Sequence, residues 1–210
     1  MDILRKSLLR ETPRSSQRDL GPSSVGGCKT QAWLQLQGQP VVNETDKLLA
    51  AIGTAIHAYI AEALQGQSDC QPEIRLQADG LRGTADLYSA SERKITDWKS
   101  ASVAKLSRSW PSKSNKQQVM LYGHMARKSG MLVEWVEVVG IPRDGTTNDI
   151  RAWTAPYDQA VADEGLAWLA EVKAAETRPE PSMDPARWCQ PYCPFYDPSG
   201  FNGCEGKVKS

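Results

Sequence analysis

The chain has 210 residues, and its 25 Lys and Arg balance 25 Asp and Glu, so its formal net charge is zero. That balance removes any whole-molecule attraction to nucleic acid, and the length admits one sizeable core with at most an appended subdomain. Apolar residues make up 40% of the chain and charged residues 24%, an ordinary globular composition, with no stretch long and apolar enough to span a bilayer.

Residues 1–22 are polar, rich in Arg and Ser, and broken by Pro13 and Pro22, which predicts an arm of uncertain order. The terminus, Met1-Asp2-Ile3-Leu4-Arg5-Lys6, lacks the apolar block of a secretory signal, so the protein reads as cytoplasmic, with no membrane partner. Ser23 or Ser24 is placed to cap a short helix carrying Cys28, Trp33 and Leu36, ended by Gly38-Gln39-Pro40. Asp46 to Leu64 is the best helix in the chain, with Leu49, Ile52, Ile56, Tyr59, Ile60 and Ala63 at helical spacing and Gly66 as a stop. Glu73–Ala78, Leu81–Ala90 and Arg93–Ser100 read as three successive strands, turning at Ala78-Asp79-Gly80 and at Ser91-Glu92. Ala101 to Asn115 reads as a polar, basic loop, and Lys116 to Lys128 as a helix. Met131–Ile141 is β-prone, and a strand near Ile150–Thr154 is placed to pair with it across Arg143-Asp144-Gly145. Residues 157–176 read as a last helix, followed beyond Pro179 by a proline- and aromatic-rich tail. The order predicts an α/β fold, a sheet covered by helices on both faces. The expected organisation is an arm over 1–22, a core over 23–178 and a cysteine-rich segment over 179–210 that packs with Cys28.

The chemistry is concentrated in the middle strands. A hairpin turning at Ser91-Glu92 pairs Asp86, in Gly83-Thr84-Ala85-Asp86, with Asp97, in Asp97-Trp98-Lys99. Side chains directly opposed in a hairpin have Cβ atoms roughly 4.5–5.5 Å apart, and two carboxylates that close repel unless a cation lies between them. Lys99 shares the face of Asp97, because side chains alternate along a strand. Two acids and a lysine in one small volume suit a hard divalent metal and a phosphodiester. Glu73 is a second-rank carboxylate. His57 flanks the apolar stripe of the long helix, one turn after Gly53, where the helix can approach another backbone closely. Gln118 and Tyr122 share one helix face and can hydrogen-bond a phosphate or a base edge. From Lys99 to Lys128 the chain has seven basic residues and no acidic one, a run that can follow a phosphate backbone or form a solvated helix face.

The ordered set Gly53-x-x-x-His57, Gly83-Thr84-Ala85-Asp86, Asp97-Trp98-Lys99 and Gln118-x-x-x-Tyr122 resembles the RecB-like branch of the PD-(D/E)xK nuclease superfamily. The resemblance covers residues 50–125 and implies a restriction-endonuclease-like core, a central mixed sheet flanked by helices. It implies that His57, Asp86, Asp97 and the main-chain carbonyl of Trp98 bind Mg²⁺ or Mn²⁺. Lys99 would then activate the attacking water, with Gln118 and Tyr122 contacting DNA.

Five cysteines in a reducing compartment point to free thiols or metal ligands rather than disulfides. Cys189, Cys193 and Cys204 cluster near the end, Cys28 lies far upstream, and Cys70 stands apart. One distal cysteine plus three near the end resembles the iron–sulfur nucleases of the same branch, the AddB and CRISPR-associated RecB-like exonucleases. By that likeness the four thiolates hold a [4Fe–4S] cluster joining the N- and C-terminal segments. The gap between Cys193 and Cys204 is wider than in that family, and four thiolates also suit structural Zn²⁺. A zinc-deaminase site is excluded, since His57 is followed by Ala58-Tyr59 and no Cys-x-x-Cys is present.

The reading that results is a metal-dependent DNA nuclease, an exonuclease acting on single strands or free ends, alone, as a homo-oligomer, or in a larger nuclease or recombination complex. The alternative is a non-catalytic, cysteine-stabilised module that binds nucleic acid, or a structural zinc protein.

Overall fold

A computed structural model describes residues 19–207, so most of the expected arm lies outside the described residues. The chain divides into two compact units: one takes Gly26–Ala51 and the chain from Trp168 onward, the other Gly21–Val25 and Ile52–Ala167.

In the first unit, helix α1 (Lys29–Leu36) starts at Cys28, whose extended backbone makes it the N-cap residue. Side chains of this segment are spent on carbonyls far along the sequence. The Thr30 hydroxyl donates to Pro179 O at 2.8 Å and the Trp33 indole N–H to Ala175 O at 2.9 Å. The Asn43 amide donates to Gln190 O at 2.9 Å and Cys193 O at 2.8 Å. Leu34, Phe195 and Cys204 form a small buried core, with Trp33 and Cys193 packed against it. Leu169 and Val172 of this unit are buried as well, and the long-range hydrogen bonds to main-chain carbonyls add to that burial.

The second unit is built on a five-stranded sheet. Helix α2 (Leu48–Leu64) is capped by Asp46, which accepts the Leu48 N–H at 2.8 Å. Then follow β1 (Cys70–Ala78), β2 (Leu81–Ser89), β3 (Lys94–Ala101), helices α3 (Val103–Arg108) and α4 (Lys113–Lys128), β4 (Trp135–Pro142), β5 (Arg151–Pro156) and helix α5 (Gln159–Ala174). The division between the units falls inside α2 and α5. The strand order is β1-β2-β3-β4-β5, antiparallel throughout except for the parallel β3–β4 pair. That parallel pair requires a crossover, which α3 and α4 provide. Helix α4 is the most buried element, and Val119, Leu121, Met125 and Ala126 pack with Ile95, Val136 and Val138 of the sheet in the core.

Three elements differ from expectation. The helix expected to be capped by Ser23 or Ser24 and to carry Cys28 begins at Lys29 with Cys28 as its N-cap, and Pro22–Ser24 forms a separate short turn. The stretch expected as a loop over Ala101–Asn115 contains α3 and the first turn of α4. Ser102 caps α3 by accepting the Lys105 N–H at 3.3 Å, and Ser112 with Asn115 forms a reciprocal capping box on α4. Leu106 anchors α3, and Gly140 of β4 makes room for it, since a Cβ there would lie 2.3 Å from Leu106 Cδ2. The strand expected from Met131 begins at Trp135, because its parallel partner β3 begins at Lys94 and the Lys94–Trp135 pair opens the ladder. No helix among the described residues is long and apolar enough to cross a membrane.

Candidate active site

The β2–β3 ladder pairs Ser89 with Lys94, Tyr88 with Ile95 and Leu87 with Thr96. The next pair in this register is Asp86 and Asp97, but the ladder ends one step short and a carboxylate takes over. Asp86 Oδ2 accepts the Trp98 backbone N–H at 2.7 Å. In an extended strand the N–H and C=O of one residue face the same neighbour, so the Trp98 carbonyl points toward the Asp86 side as well.

Both acids are buried, Asp86 to 6% exposure and Asp97 to 2%. The His57 Nδ1 lies 3.0 Å from Asp86 Oδ1. Gly53, one turn earlier, brings α2 against the end of β3, since a Cβ there would stand 3.2 Å from Ser100 Oγ. Asp97 Oδ1 accepts the Gln118 amide N–H at 3.1 Å, and Lys99 Nζ lies 2.7 Å from Asp97 Oδ2. That second contact is a buried ion pair, so both oxygens of Asp97 are engaged by side chains of the sheet unit. Burial, only partly offset by the Lys99 ammonium and reinforced by the charge of Asp86, pushes the Asp97 carboxyl up to about 6.

The third acid is Glu73. It takes a left-handed backbone, φ 54°, at the position of β1 opposite Asp86, and no ladder pair forms there. A non-glycine residue in that region costs roughly 1 kcal/mol, a strain typical of functional positions. The ligand atoms of His57, Glu73 and Asp86 all lie within 4.8 Å of one another, close enough to share one cation. Asp97 stands beside that trio, tied to Lys99 and Gln118. The sequence held Glu73 as secondary, and the arithmetic of the β1–β2 register, which sets it across from Asp86, was the available signal.

Gln118 and Tyr122 were expected to contact DNA, but both are buried, at 6% and 4% exposure. The Gln118 amide is directed at Asp97, and Tyr122 packs on Gly83, where a Cβ would sit 3.1 Å from its ring.

In the first unit, Cys28, Cys189, Cys193 and Cys204 lie within electrostatic range of one another in every pairing. Burial, with neighbouring thiols adding to it, pushes Cys189 up to about 11. Cys193 also reaches about 11, and Cys204 rises, both chiefly through burial. Burial acts on Cys28 too, but hydrogen bonds from Ser182, Gln31 and Thr30 outweigh it and bring that thiol down. Among the described residues no three of these sulfurs come within 4.8 Å of each other. Cys70 belongs to the sheet unit and contacts Gln67.

No protein-family model matches the chain, and no curated protein matches it. Solved structures do. The protein SSO0001 superposes with a TM-score of 0.61 at 14% identity, over 99% of this chain and 97% of that one. An alkaline exonuclease, LHK-Exo, from Laribacter hongkongensis gives 0.52 at 13% identity, over 83% of this chain and 93% of its own. LHK-Exo in complex with dAMP gives 0.50 at 14% identity. At these identities the likeness establishes the fold, an α/β arrangement in which helices flank a mixed five-stranded sheet.

Proposed function

We propose that this chain is a metal-dependent DNA nuclease of the RecB-like branch of the PD-(D/E)xK superfamily, an exonuclease acting on single strands or free ends. The observation that carries this reading is the convergence of His57, Glu73 and Asp86 on a volume small enough for one cation, beside the buried Asp97 and its partner Lys99. That donor set, one imidazole with hard carboxylate oxygens, fits Mg²⁺ or Mn²⁺. His57, Glu73, Asp86, Asp97 and the Trp98 carbonyl would hold the metal. When bound, it supplies Lewis-acid polarisation of a phosphoryl oxygen and acidification of water.

The protein groups do the rest. The Trp98 N–H fixes Asp86, and the Gln118 amide fixes Asp97, so both carboxylates keep one orientation through a turnover. Lys99, held by Asp97 and one-quarter exposed, turns its ammonium toward incoming solvent and phosphate. There it stabilises negative charge developing at phosphorus and orients the attacking water. Gln118 thus serves as a positioning residue. The exonuclease name of LHK-Exo, on a shared fold, agrees with this chemistry.

Cys28, Cys189, Cys193 and Cys204 would hold a [4Fe–4S] cluster with a structural role, since hydrolysis needs no electron transfer. Four mutually repelling thiols fit such a group. A single structural Zn²⁺ on the same four sulfurs is the alternative.

The test is an anaerobic preparation of the full chain, incubated with end-labelled linear and with circular single-stranded DNA, with and without Mn²⁺ or Mg²⁺. Metal-dependent loss of the linear substrate alone is the expected outcome. Loss of both would replace exonuclease with endonuclease action, and intact DNA with either metal would defeat the nuclease reading.

A further inference from the structure

Helix α4 serves two sites. Adjacent residues on a helix point about 100° apart, so while Gln118 turns to Asp97, Gln117 faces elsewhere. It lines a cavity of about 670 Å³ on the flank of the sheet unit, between the first turns of α4, the edge strand β5 and the start of α5. Trp153, Tyr157, Met120 and Val161 make the cavity largely apolar and aromatic. Gln117 is 6% exposed, and among the described residues its side-chain amide has no hydrogen-bond partner. Its amide atoms stay open to the cavity, where they can bond a ligand.

The charges around this cavity are unequal in what they have left to offer. Lys113 and Glu164 face each other at 4.0 Å, and Asp158 accepts the Ala160 N–H at 2.9 Å. Lys116 lies with its ammonium 4.8 Å from the centroid of the Trp153 ring, and among the described residues it has no carboxylate partner. A cation held over the Trp153 ring, which a base stacking there would displace toward its own phosphate, thus stands at the rim of an aromatic wall, with an amide in the wall offering both a donor and an acceptor.

We propose that this cavity is a nucleobase subsite. A base lies against Trp153 and Tyr157, the Gln117 amide hydrogen-bonds its edge, and Lys116 meets the attached phosphate. Aromatic stacking tolerates every base, while an amide matches the paired donor and acceptor of a base edge. The cavity's volume falls in the usual range for small organic ligands. Strand β5 lies two strands from β3, roughly 10 Å across the sheet, with α4 packed between Asp97 and Trp153, so a nucleic acid strand reaching both would pass around that helix. In its identification of the ligand as part of the substrate, the proposal rests on the nuclease reading. The same chemistry fits a free mononucleotide.

The experiment uses the full chain in EDTA, so that binding is read without cleavage. Isothermal titration is run with a short single-stranded oligonucleotide, with dAMP and with 2-deoxyribose 5-phosphate, on the wild type, Trp153→Leu and Gln117→Leu. The two substitutions remove stacking and hydrogen bonding separately, and thermal melts establish that each variant is folded. Trp153→Leu is expected to weaken the oligonucleotide about tenfold, with a smaller loss for Gln117→Leu. The sugar phosphate, having no base, is expected to bind far more weakly than dAMP. A loss confined to dAMP assigns the cavity to free mononucleotide. Unchanged affinity of both nucleotides in both variants overturns the subsite. Cleavage with Mn²⁺, measured in parallel, separates the two proposals. Wild-type cleavage with Trp153-independent binding removes the subsite alone, and Trp153-dependent binding without any cleavage removes the nuclease reading alone.

Discussion

The carboxylate site and the thiol quartet both crowd groups of like charge, yet the chain supports them differently. At the first, its own donors are already in place: the Trp98 N–H on Asp86, the Gln118 amide and Lys99 on Asp97, and His57 beside Asp86. At the second, burial lifts three of the four thiols, and only Cys28 receives enough hydrogen bonds to move the other way. The difference teaches which site is a consequence of the fold and which is a condition for it. The carboxylates sit on a sheet with a continuous core, and the chain's own donors hold them. The thiols sit beside a small apolar cluster, where the proposed iron–sulfur cluster would add cohesion.

The largest effect expected from this contrast is on the thiol side. Cys204→Ser should destabilise the first unit on the order of 5 kcal/mol, because a structural metal group contributes its binding energy to folding. Hydrogen exchange should rise over residues 28–43 and 175–205 while the amides of β2, β3 and α4 stay protected. Simultaneous opening of the sheet would break the comparison.

Next is Asp97→Asn, which should cut cleavage about a thousandfold. The same change should stabilise the metal-free protein at neutral pH. Burial, the largest cause, raises the folded-state pKa of Asp97 from 3.8 to about 6, so the folded state holds this proton more tightly than the unfolded chain. The contribution of this group to stability is therefore full at low pH and declines as pH rises from 3.8 through about 6. Asparagine removes that decline, a gain on the order of 1–3 kcal/mol at neutral pH and none near pH 4, read by urea denaturation in EDTA.

Smaller still is Glu73→Gln, which should raise the Mn²⁺ concentration for half-maximal cleavage roughly tenfold while leaving the saturated rate nearly unchanged. A loss of rate that Mn²⁺ does not restore would place Glu73 in the chemical step instead. The smallest effect is Cys70→Ser, expected to shift stability by less than about 0.5 kcal/mol and to leave any iron content unaltered.

Much of the site was legible because strand register is arithmetic. Residues flanking the Ser91-Glu92 turn fix Asp86 against Asp97, and the same counting across Asp79-Gly80 fixes Glu73 against Asp86. What counting could not show is where a ladder stops. The pair at Asp86 and Asp97 opens because the Asp86 carboxylate captures the Trp98 N–H, a side-chain contact invisible to periodicity. The helix at Val103–Arg108 was hidden for another reason. Its basic, polar composition reads as loop, while its determinants are local: the Ser102 cap and the single buried anchor Leu106. Gln118 and Tyr122 were found by spacing, but spacing does not tell which face of α4 meets the sheet, and their burial changes what they can touch.

The central claim is that the acids and lysine at the end of the β2–β3 hairpin cut DNA. Its most direct test is the single-turnover cleavage rate of end-labelled single-stranded DNA at saturating Mn²⁺ for the wild type, Asp86→Ala and Lys99→Ala. Metal-dependent cleavage by the wild type, with both variants at least about a hundredfold slower and still folded, is the predicted result. Wild-type rates retained by either variant would contradict the account.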